Sequence, residues 1–284
     1  MNTEKNKEKW IKMVEETLEL GGRSEVTIKN YLYAIKSFLN SHGNNTNFSK
    51  FEEKNIINYL KKQYIDKNCK PATYNFYLST IKFFFIVCFK KEFNSKLLPT
   101  AKKGKKLPII ISKEDFLFLV NNEKNIKHKC WLILGFCSGL RANEIATLKI
   151  EYIDSKNHKL KVIGKGNKER YTILPDIAIK LLRIYCKSQN IKAKQGYLFK
   201  GTTGRDYISP NTIENFFTNY ANEVGLDENI SFHTLRHSFA TYFIMNGGDQ
   251  FVLKDLLGHS SLSTTSIYVH LAKNFNNLKG INYE

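Results

Sequence analysis

Apolar side chains recur at helical spacing through the first 92 or so residues. Ser24 is a suitable N-cap, since its hydroxyl can accept from a free backbone N–H, and Pro71 suits a first helical position. The spacing predicts a bundle of four short amphipathic helices, the third over about Phe51–Tyr64. The apolar stripes of the other three are Trp10, Ile11, Val14 and Leu18; Ile28, Tyr31, Ile35 and Phe38; and Tyr74, Leu78, Ile81, Phe85 and Cys88.

The periodicity breaks over Asn94–Leu107, a segment with Pro99, Gly104 and four lysines (Lys102, Lys103, Lys105 and Lys106). A basic segment of this composition between two periodic regions is typical of a flexible linker. Ser112 with Asp115 then resembles a capping box that starts a new helix. We predict a helical domain over 1–93, a linker over 94–107 and a second domain over 108–284; the alternative is a long surface loop within one domain.

The second domain begins with helical patterns and includes an apolar helix over Cys130–Cys137. The period then changes, and short strand-like segments alternate with turns; the segments are Ile150–Ile153, Lys159–Ile163 and Tyr171–Leu174. From Asp176 the pattern is helical again, and it ends in a tail helix predicted over 271–284 with the apolar stripe Leu271, Phe275, Leu278 and Ile281. The predicted fold class is mainly α with a small antiparallel β-sheet.

The composition of the chain indicates a polyanionic partner. The 284 residues carry a formal charge of +18, with 42% hydrophobic residues to form cores. Nucleic acid is the first candidate partner and an anionic membrane surface the second. The longest apolar runs, Phe83–Phe89 and Cys130–Cys137, are too short to span a bilayer, so no membrane insertion is expected. Five scattered cysteines with no CxxC pair indicate neither disulfides nor zinc, and we expect a reduced, cytoplasmic protein.

The candidate chemistry lies in four short motifs. They are Gly139-Leu140-Arg141 with Glu144, Gly164-Lys165-Gly166-Asn167, His233-Thr234-Leu235-Arg236-His237, and Leu257-Gly258-His259 followed by Tyr268. Arginines with histidines can bind a phosphate, and a tyrosine hydroxyl beside them is a nucleophile. Each motif alone also has an ordinary interpretation, such as a helix cap, a hairpin lysine or a packed histidine.

Two other kinds of site are not supported by these motifs. The glycines around Lys165 lack the spacing of a P-loop, so nucleotide binding is not indicated. His233 and His237 stand four residues apart, as zinc ligands can, but Thr234 occupies the place of the glutamate that a zinc protease needs, and no third ligand is evident. No metal or other cofactor is therefore predicted.

Together the motifs resemble the tyrosine recombinase (integrase) family, in particular its short Xer-like members. The resemblance covers residues 109–270 strongly and the N-terminal bundle weakly. It implies a helical core-binding (DNA-binding) domain before an α+β catalytic domain, joined by the linker into a C-shaped clamp on DNA. It also implies six catalytic residues, namely Arg141, Lys165, His233, Arg236, His259 and Tyr268.

The resemblance further implies a metal-independent mechanism. Arg141 and Arg236 clamp the scissile phosphate, and His259 adds a hydrogen bond. Tyr268 attacks to form a 3′-phosphotyrosyl link, while Lys165 protonates the 5′ oxygen and His233 does acid–base work at the tyrosine. The implied partners are double-stranded DNA, a homotetramer (or a heterotetramer with a paired recombinase) on two DNA sites, and an accessory or activating protein. The tail would dock into a neighbouring subunit, and the protein would be nucleoid-associated in a bacterial or archaeal cytoplasm.

Three other functions compete with this one. A type IB topoisomerase-like enzyme shares the chemistry but relaxes DNA without a defined site. A catalytically silent DNA-binding regulator is weakened as an interpretation because every catalytic position is filled. A relaxase-type nickase needs clustered histidines around a metal, which the sequence lacks. Chromosome-dimer resolution and mobile-element integration or excision are equally compatible with these residues.

Overall fold

The computed structural model describes residues 3–43, 46–66, 68–102, 104, 107–164, 168–201 and 204–279. The chain divides into two compact units, Met1–Lys105 and Lys106–Glu284. The first is helical, and the second is helical with one small sheet. The predicted fold class, mainly α with a small antiparallel β-sheet, is confirmed.

The first unit contains the four predicted helices. Ser24 caps the second through a bond from the Thr27 N–H, and Pro71 occupies the first turn of the fourth. The third ends at Leu60, earlier than predicted, because the chain continues as a π-helical turn over Lys61–Ile65. The bounds are α1 Thr3–Leu20, α2 Glu25–Asn40, α3 Glu53–Leu60 and α4 Pro71–Phe89.

Aromatic rings fill the core of the first unit. Phe38 is fully buried, and its ring lies 4.9 Å from that of Tyr59 and about 6 Å from four phenylalanine rings, mostly edge to face, an arrangement that aromatic quadrupoles favour. Helix α4 as a whole is long and apolar enough to cross a membrane by length and composition alone, although its Phe83–Phe89 run is short. In the structure 33% of the apolar stretch of α4 is buried, and its Phe84 and Phe85 are fully buried in the bundle.

The first part of the predicted linker packs against the first unit, and the linker itself stays a prediction. Leu98 is 1% exposed and belongs to the aromatic core. The Asn75 side chain exchanges two hydrogen bonds with the backbone of Ala101, at 2.9 and 2.7 Å. The Asn94 N–H donates to Glu53 Oε1 at 2.8 Å. Residues 94–101 are therefore held by α3 and α4, because an apolar anchor and side-chain partners satisfy their backbone.

The first helix of the second unit begins where predicted, since the Ser112 hydroxyl accepts from the Asp115 N–H. Three antiparallel strands follow the first helices in the order β1-β2-β3, with Leu160 opposite Thr172. The predicted strand Ile150–Ile153 is wrong over its first three residues, which form a 3₁₀ turn. The bounds are α5 Lys113–Asn122, α6 Ile126–Ser138, α7 Ala142–Ala146, β1 Ile153–Asp154, β2 Lys159–Ile163, β3 Glu169–Ile173, α8 Asp176–Ser188, α9 Pro210–Glu223, α10 Phe232–Met245, α11 Gln250–Leu257 and α12 Leu262–Lys279.

Helix α6 is the centre of this unit, and its side chains from Cys130 to Leu134 are all buried. The close approach of α10 requires Gly135, where an added Cβ would stand 3.0 Å from Phe232 and Leu235 atoms. The packing brings the C-terminal end of α6 beside α10 and α11, which is where the chemical motifs lie.

The tail differs from its prediction at its start. There is no separate helix from residue 271 in the described part of the chain, because α12 is continuous over Leu262–Lys279 and includes Tyr268. Leu271 is buried, as its place in the predicted stripe requires. The side chains of Phe275 and Leu278, and all of Ile281, lie outside what the structure describes, so the use of the stripe stays a prediction.

Candidate active site

Two helices end at the site, each with a glycine in the left-handed conformation. Gly139 follows α6 with φ 66°, and Gly258 follows α11 with φ 65°. Glycine favours this conformation because it has no Cβ. A Cβ at Gly139 would also stand 2.5 Å from the Phe239 ring, and one at Gly258 would stand 2.8 Å from Arg170 Cδ. Both glycines of the motifs are thus required by conformation and by space.

These helix ends hold Arg236, which projects from α10 and is only 1% exposed. Its Nη1 donates to the Gly139 carbonyl at 2.6 Å and its Nη2 to the Leu257 carbonyl at 2.5 Å. Carbonyls at helix C-termini carry the negative end of the helix dipole and so stabilise a cation. Burial, followed by the charge of Arg141, lowers the pKa of Arg236 to about 9, which leaves it charged at neutral pH. Its Nε has no hydrogen-bond partner among the described residues.

Glu144 is a buried carboxylate shared by three arginines. It accepts from Arg141 Nη1 at 2.9 Å and from both terminal nitrogens of Arg170 at 2.8 and 2.9 Å, and Arg236 Nη1 lies 3.6 Å away. Burial raises the pKa of Glu144, but the bonds and charges of Arg170 and Arg236 more than offset this and hold the pKa below its ordinary value. Three guanidinium groups around one carboxylate leave the site positively charged, as an anion-binding site must be.

Arg170 was not predicted as a functional residue. It lies on β3, and besides Glu144 its Nε donates to the Leu256 carbonyl at 2.8 Å. It therefore connects the sheet to the end of α11 and to α7. A sequence signal for it does exist, since Arg170 and the buried Thr172 alternate on one face of a strand.

The histidines of the site are neutral. Burial, with help from nearby positive groups, lowers the pKa of His233 and lowers those of His237 and His259 to about 4. His259 Nδ1 lies 3.0 Å from the hydroxyl of Thr265, which is fully buried on α12. This contact fixes the orientation of the imidazole beside the arginines.

Tyr268 lies on α12 and is 2% exposed. Its hydroxyl is 2.9 Å from His237 Nδ1, and its ring stacks near that of His259 with centroids 6.3 Å apart. Burial raises the pKa of Tyr268, and the charges of Arg236 and Arg141 lower it only in part, so the phenol is protonated at rest. Sequence reasoning considered His237 only as a zinc ligand and did not identify this contact with the tyrosine.

Five of the six predicted catalytic residues thus lie in one region of the second unit. Arg141 and Arg236 share Glu144, while His259 and Tyr268 pack on each other and His233 packs on His237, with ring centroids 4.5 Å apart. Lys165 lies outside the described residues, between Gly164 and Lys168, whose backbone groups pair at 2.8 Å. Its role stays a prediction. The described part of the chain contains no group of three His, Cys, Asp or Glu side chains able to hold a metal ion.

The sequence model of the Phage integrase family matches residues 111–274, which include every motif of the site. The chain belongs to this family. The model described as "Phage integrase, N-terminal SAM-like domain" matches residues 10–94. The resemblance to Xer-like tyrosine recombinases is confirmed, and the protein is a tyrosine recombinase.

Two curated relatives span nearly the whole recombinase. Tyrosine recombinase XerC of Thermodesulfovibrio yellowstonii is 32% identical in an alignment of length 270 that covers 88% of this chain and 87% of the relative. Tyrosine recombinase XerC of Natranaerobius thermophilus is 31% identical in an alignment of length 270 that covers 87% of this chain and 89% of the relative. A solved structure, the XerH site-specific recombinase bound to palindromic difH substrate in a post-cleavage complex, aligns with a TM-score of 0.72 at 21% identity. It covers 92% of this chain and 81% of that one, and it shows the fold.

Proposed function

We propose that this site-specific recombinase cuts and rejoins duplex DNA through a 3′-phosphotyrosyl intermediate at Tyr268. The observation that carries the proposal is the position of the Tyr268 hydroxyl, which is buried beside neutral imidazoles and next to an excess of arginine charge. The names of the relatives and the DNA-bound state of the structural neighbour support a DNA substrate. The formal charge of +18 supports it as well.

The scissile phosphate is bound by groups that are charged and already oriented. Arg141 retains 38% side-chain exposure, and the buried Arg236 Nε has no hydrogen-bond partner among the described residues. When the Thr265 hydroxyl donates to His259 Nδ1, the neutral ring carries its proton on Nε2 and donates it to a phosphate oxygen. Oriented donors stabilise the charge that develops on the phosphate in the transition state without reorganising.

In the cleavage step, Tyr268 Oη forms a bond to phosphorus and the bond from phosphorus to the 5′ oxygen breaks. Lys165 gives the leaving oxygen its proton, and the phenolic proton of Tyr268 passes to a histidine of the site; the family resemblance assigns acid–base work at the tyrosine to His233. The phosphotyrosyl bond conserves the energy of the phosphodiester, so a 5′ hydroxyl from another strand can reverse the reaction and rejoin the DNA. The residues require no metal for these steps.

The assembly that we propose is a homotetramer, or a heterotetramer with a paired recombinase, on two DNA sites. Strands are exchanged through a Holliday junction, and the segment after Tyr268 docks into a neighbouring subunit. An accessory or activating protein is a further proposed partner. The proposed location is the cytoplasm, in association with the nucleoid. The reaction serves chromosome-dimer resolution or mobile-element integration and excision.

The test is Tyr268→Phe on a nicked suicide substrate carrying the native target site. Removing only the hydroxyl should abolish the covalent protein–DNA adduct on a denaturing gel, while a gel shift shows DNA binding near that of the unmodified protein. Tyr242→Phe, on α10, is the matched control and should retain the adduct. An adduct from Tyr268→Phe at the unmodified yield would contradict the proposal.

The same assay separates the competing functions. A silent regulator forms no adduct with any substrate, and a topoisomerase-like enzyme forms it without a defined site and relaxes supercoiled plasmid. For Lys165→Ala, a substrate with a 5′ sulfur leaving group should restore cleavage, because a thiolate leaves without a proton. A folded Lys165→Ala protein that stays inactive on this substrate would remove Lys165 as the acid.

A further inference from the structure

The proton of Tyr268 must leave when its oxygen attacks phosphorus, and an imidazole nitrogen lies within hydrogen-bond distance of that oxygen. Among the described residues, His237 is the hydrogen-bond partner of the Tyr268 hydroxyl, at 2.9 Å from Nδ1. The family resemblance assigns acid–base work at the tyrosine to His233, but the His233 ring packs on that of His237, with centroids 4.5 Å apart, and no hydrogen bond joins it to Tyr268 in the described part of the chain.

Helix α10 positions His237. This residue follows the phosphate-binding Arg236 directly on α10, and its backbone carbonyl accepts from the Thr241 hydroxyl at 2.9 Å, within the same helix. The imidazole and the guanidinium therefore move together with one helix. The pairing with Tyr268 joins α10 to α12 at the point where the nucleophile meets the phosphate site.

The protonation state of His237 suits an acceptor. Burial, followed by the charges or polarity of His233, Arg236 and His259, lowers the pKa of His237 to about 4. These residues, with Tyr268, are the titratable groups that face it from α10, from the end of α11 and from α12. At neutral pH the ring is uncharged, and one of its nitrogens is free to take a proton.

We propose that His237 is the general base for the nucleophile, and this rests on Tyr268 being that nucleophile. As the bond from Oη to phosphorus forms, the phenolic proton passes from Oη to His237 Nδ1, and the bond from phosphorus to the 5′ oxygen breaks as that oxygen takes a proton from its own acid. In rejoining, His237 returns its proton to Tyr268. The negative charge of the bound phosphate stabilises the transient imidazolium, while Arg236 stabilises the phosphate and, as a nearby cation, favours return of the proton.

The first test compares two substitutions at His237 by single-turnover cleavage of a suicide substrate. His237→Ala should slow adduct formation about 100-fold or more, in the range of general base catalysis. His237→Asn places an amide oxygen near the position of Nδ1, so it retains a hydrogen-bond acceptor but no base. It should be nearly as slow as His237→Ala. A rate for His237→Asn close to that of the unmodified protein would show that the imidazole only positions the hydroxyl, and would overturn the proposal.

The second test changes the acidity of the phenol. Replacing Tyr268 by a fluorotyrosine lowers the pKa of the hydroxyl, so cleavage should recover strongly in His237→Ala and change little when His237 is present. The pH profile should agree, with His237→Ala gaining activity steadily as pH rises across neutrality. An equal response to fluorination with and without His237 would overturn the assignment.

Matched controls keep the two proposals distinct. His270→Asn changes an exposed histidine on the same helix as Tyr268 and should cleave at the unmodified rate. His233→Asn measures the base role that the family resemblance assigns. If His237→Ala forms adduct at the unmodified rate while Tyr268→Phe forms none, the base assignment fails and the nucleophile stands. If Tyr268→Phe forms adduct, the proposed function itself fails.

Discussion

The interiors of the two units are built from different chemistry. The first buries aromatic rings, and among the buried polar and charged residues that the structure describes only Thr80 belongs to it. The second buries a carboxylate, Glu144, and a guanidinium, Arg236, within hydrogen-bonding networks at the ends of two helices. An apolar core contributes stability, whereas a buried charge network costs desolvation and contributes orientation. The second unit therefore gives up part of its stability to hold charge in place for chemistry.

Arg236→Ala should have the largest effect of these substitutions, and the effect should fall on the cleavage rate. It removes a buried cation that is oriented before substrate binds, and the loss of about 3–5 kcal/mol should reduce the cleavage rate by two to four orders of magnitude. Single-turnover cleavage at saturating protein measures it. Arg183→Ala, an exposed arginine on α8, is the control and should cleave normally. Near-normal cleavage by Arg236→Ala would show that the buried charge serves the fold and not the reaction.

Phe38→Ala should instead change the stability of the first unit, because Phe38 lies in its aromatic core. Removing a fully buried ring leaves a cavity and should lower the free energy of unfolding of the first unit by about 3–5 kcal/mol. A urea titration, with unfolding of the first unit detected by limited proteolysis, measures the change in the free energy of unfolding. Tyr33→Ala, on the same helix but 70% exposed, should change it by less than about 0.5 kcal/mol. Equal effects of the two substitutions would mean that the rings around Phe38 repack freely.

Gly258→Ala should have a smaller effect on stability, but it should also change the geometry of the site. A left-handed alanine costs about 1–2 kcal/mol, and its Cβ would also displace Arg170 from beside α11. Gly247→Ala is a close control, because Gly247 has φ 83° and nothing within 4 Å of its added Cβ. Both variants should lose similar stability by thermal unfolding, but only Gly258→Ala should also lose cleavage activity. Unchanged cleavage in Gly258→Ala would show that the contact with Arg170 is dispensable.

Mild acid should lower the stability of the second unit, and this is the smallest of the expected effects. The pKa values of His237 and His259 fall from 6.5 to about 4 on folding, so the folded state favours their neutral forms. Their contribution to stability is present above pH 6.5 and is lost as pH falls from about 6.5 to about 4. Thermal unfolding of the second unit between pH 7 and 5 should show this decline, and His259→Asn should reduce its slope. A slope unchanged by that substitution would contradict the assignment.

The features that could be predicted from sequence are those set by nearby residues. Ser24, Pro71 and Ser112 act on backbone groups within three or four positions, and the helices begin where they indicate. Gly139 and Gly258 also carry a local signal, since helices end at glycines. The order of the site residues along the chain was informative because it matches a family pattern.

The features that sequence reasoning missed depend on contacts between distant elements. Arg170 meets Leu256 across 86 positions, and His237 meets Tyr268 across 31. No periodicity reports which nitrogen faces which hydroxyl, so the second histidine of the motif could only be interpreted by its spacing. The packing of residues 94–101 escaped for the same reason, because a loop composition does not reveal that Asn75 holds the backbone of Ala101.

Helix α12 carries both the proposed nucleophile and a residue that orients His259. Tyr268 supplies the hydroxyl, and Thr265, almost one turn earlier, contacts His259. Because both side chains are fixed to one helix, any shift of α12 would change both contacts at once, whereas Arg141 and Arg236 lie on other elements. The contacts of the proposed nucleophile and of His259 are thus coupled through α12, and neither arginine lies on that helix.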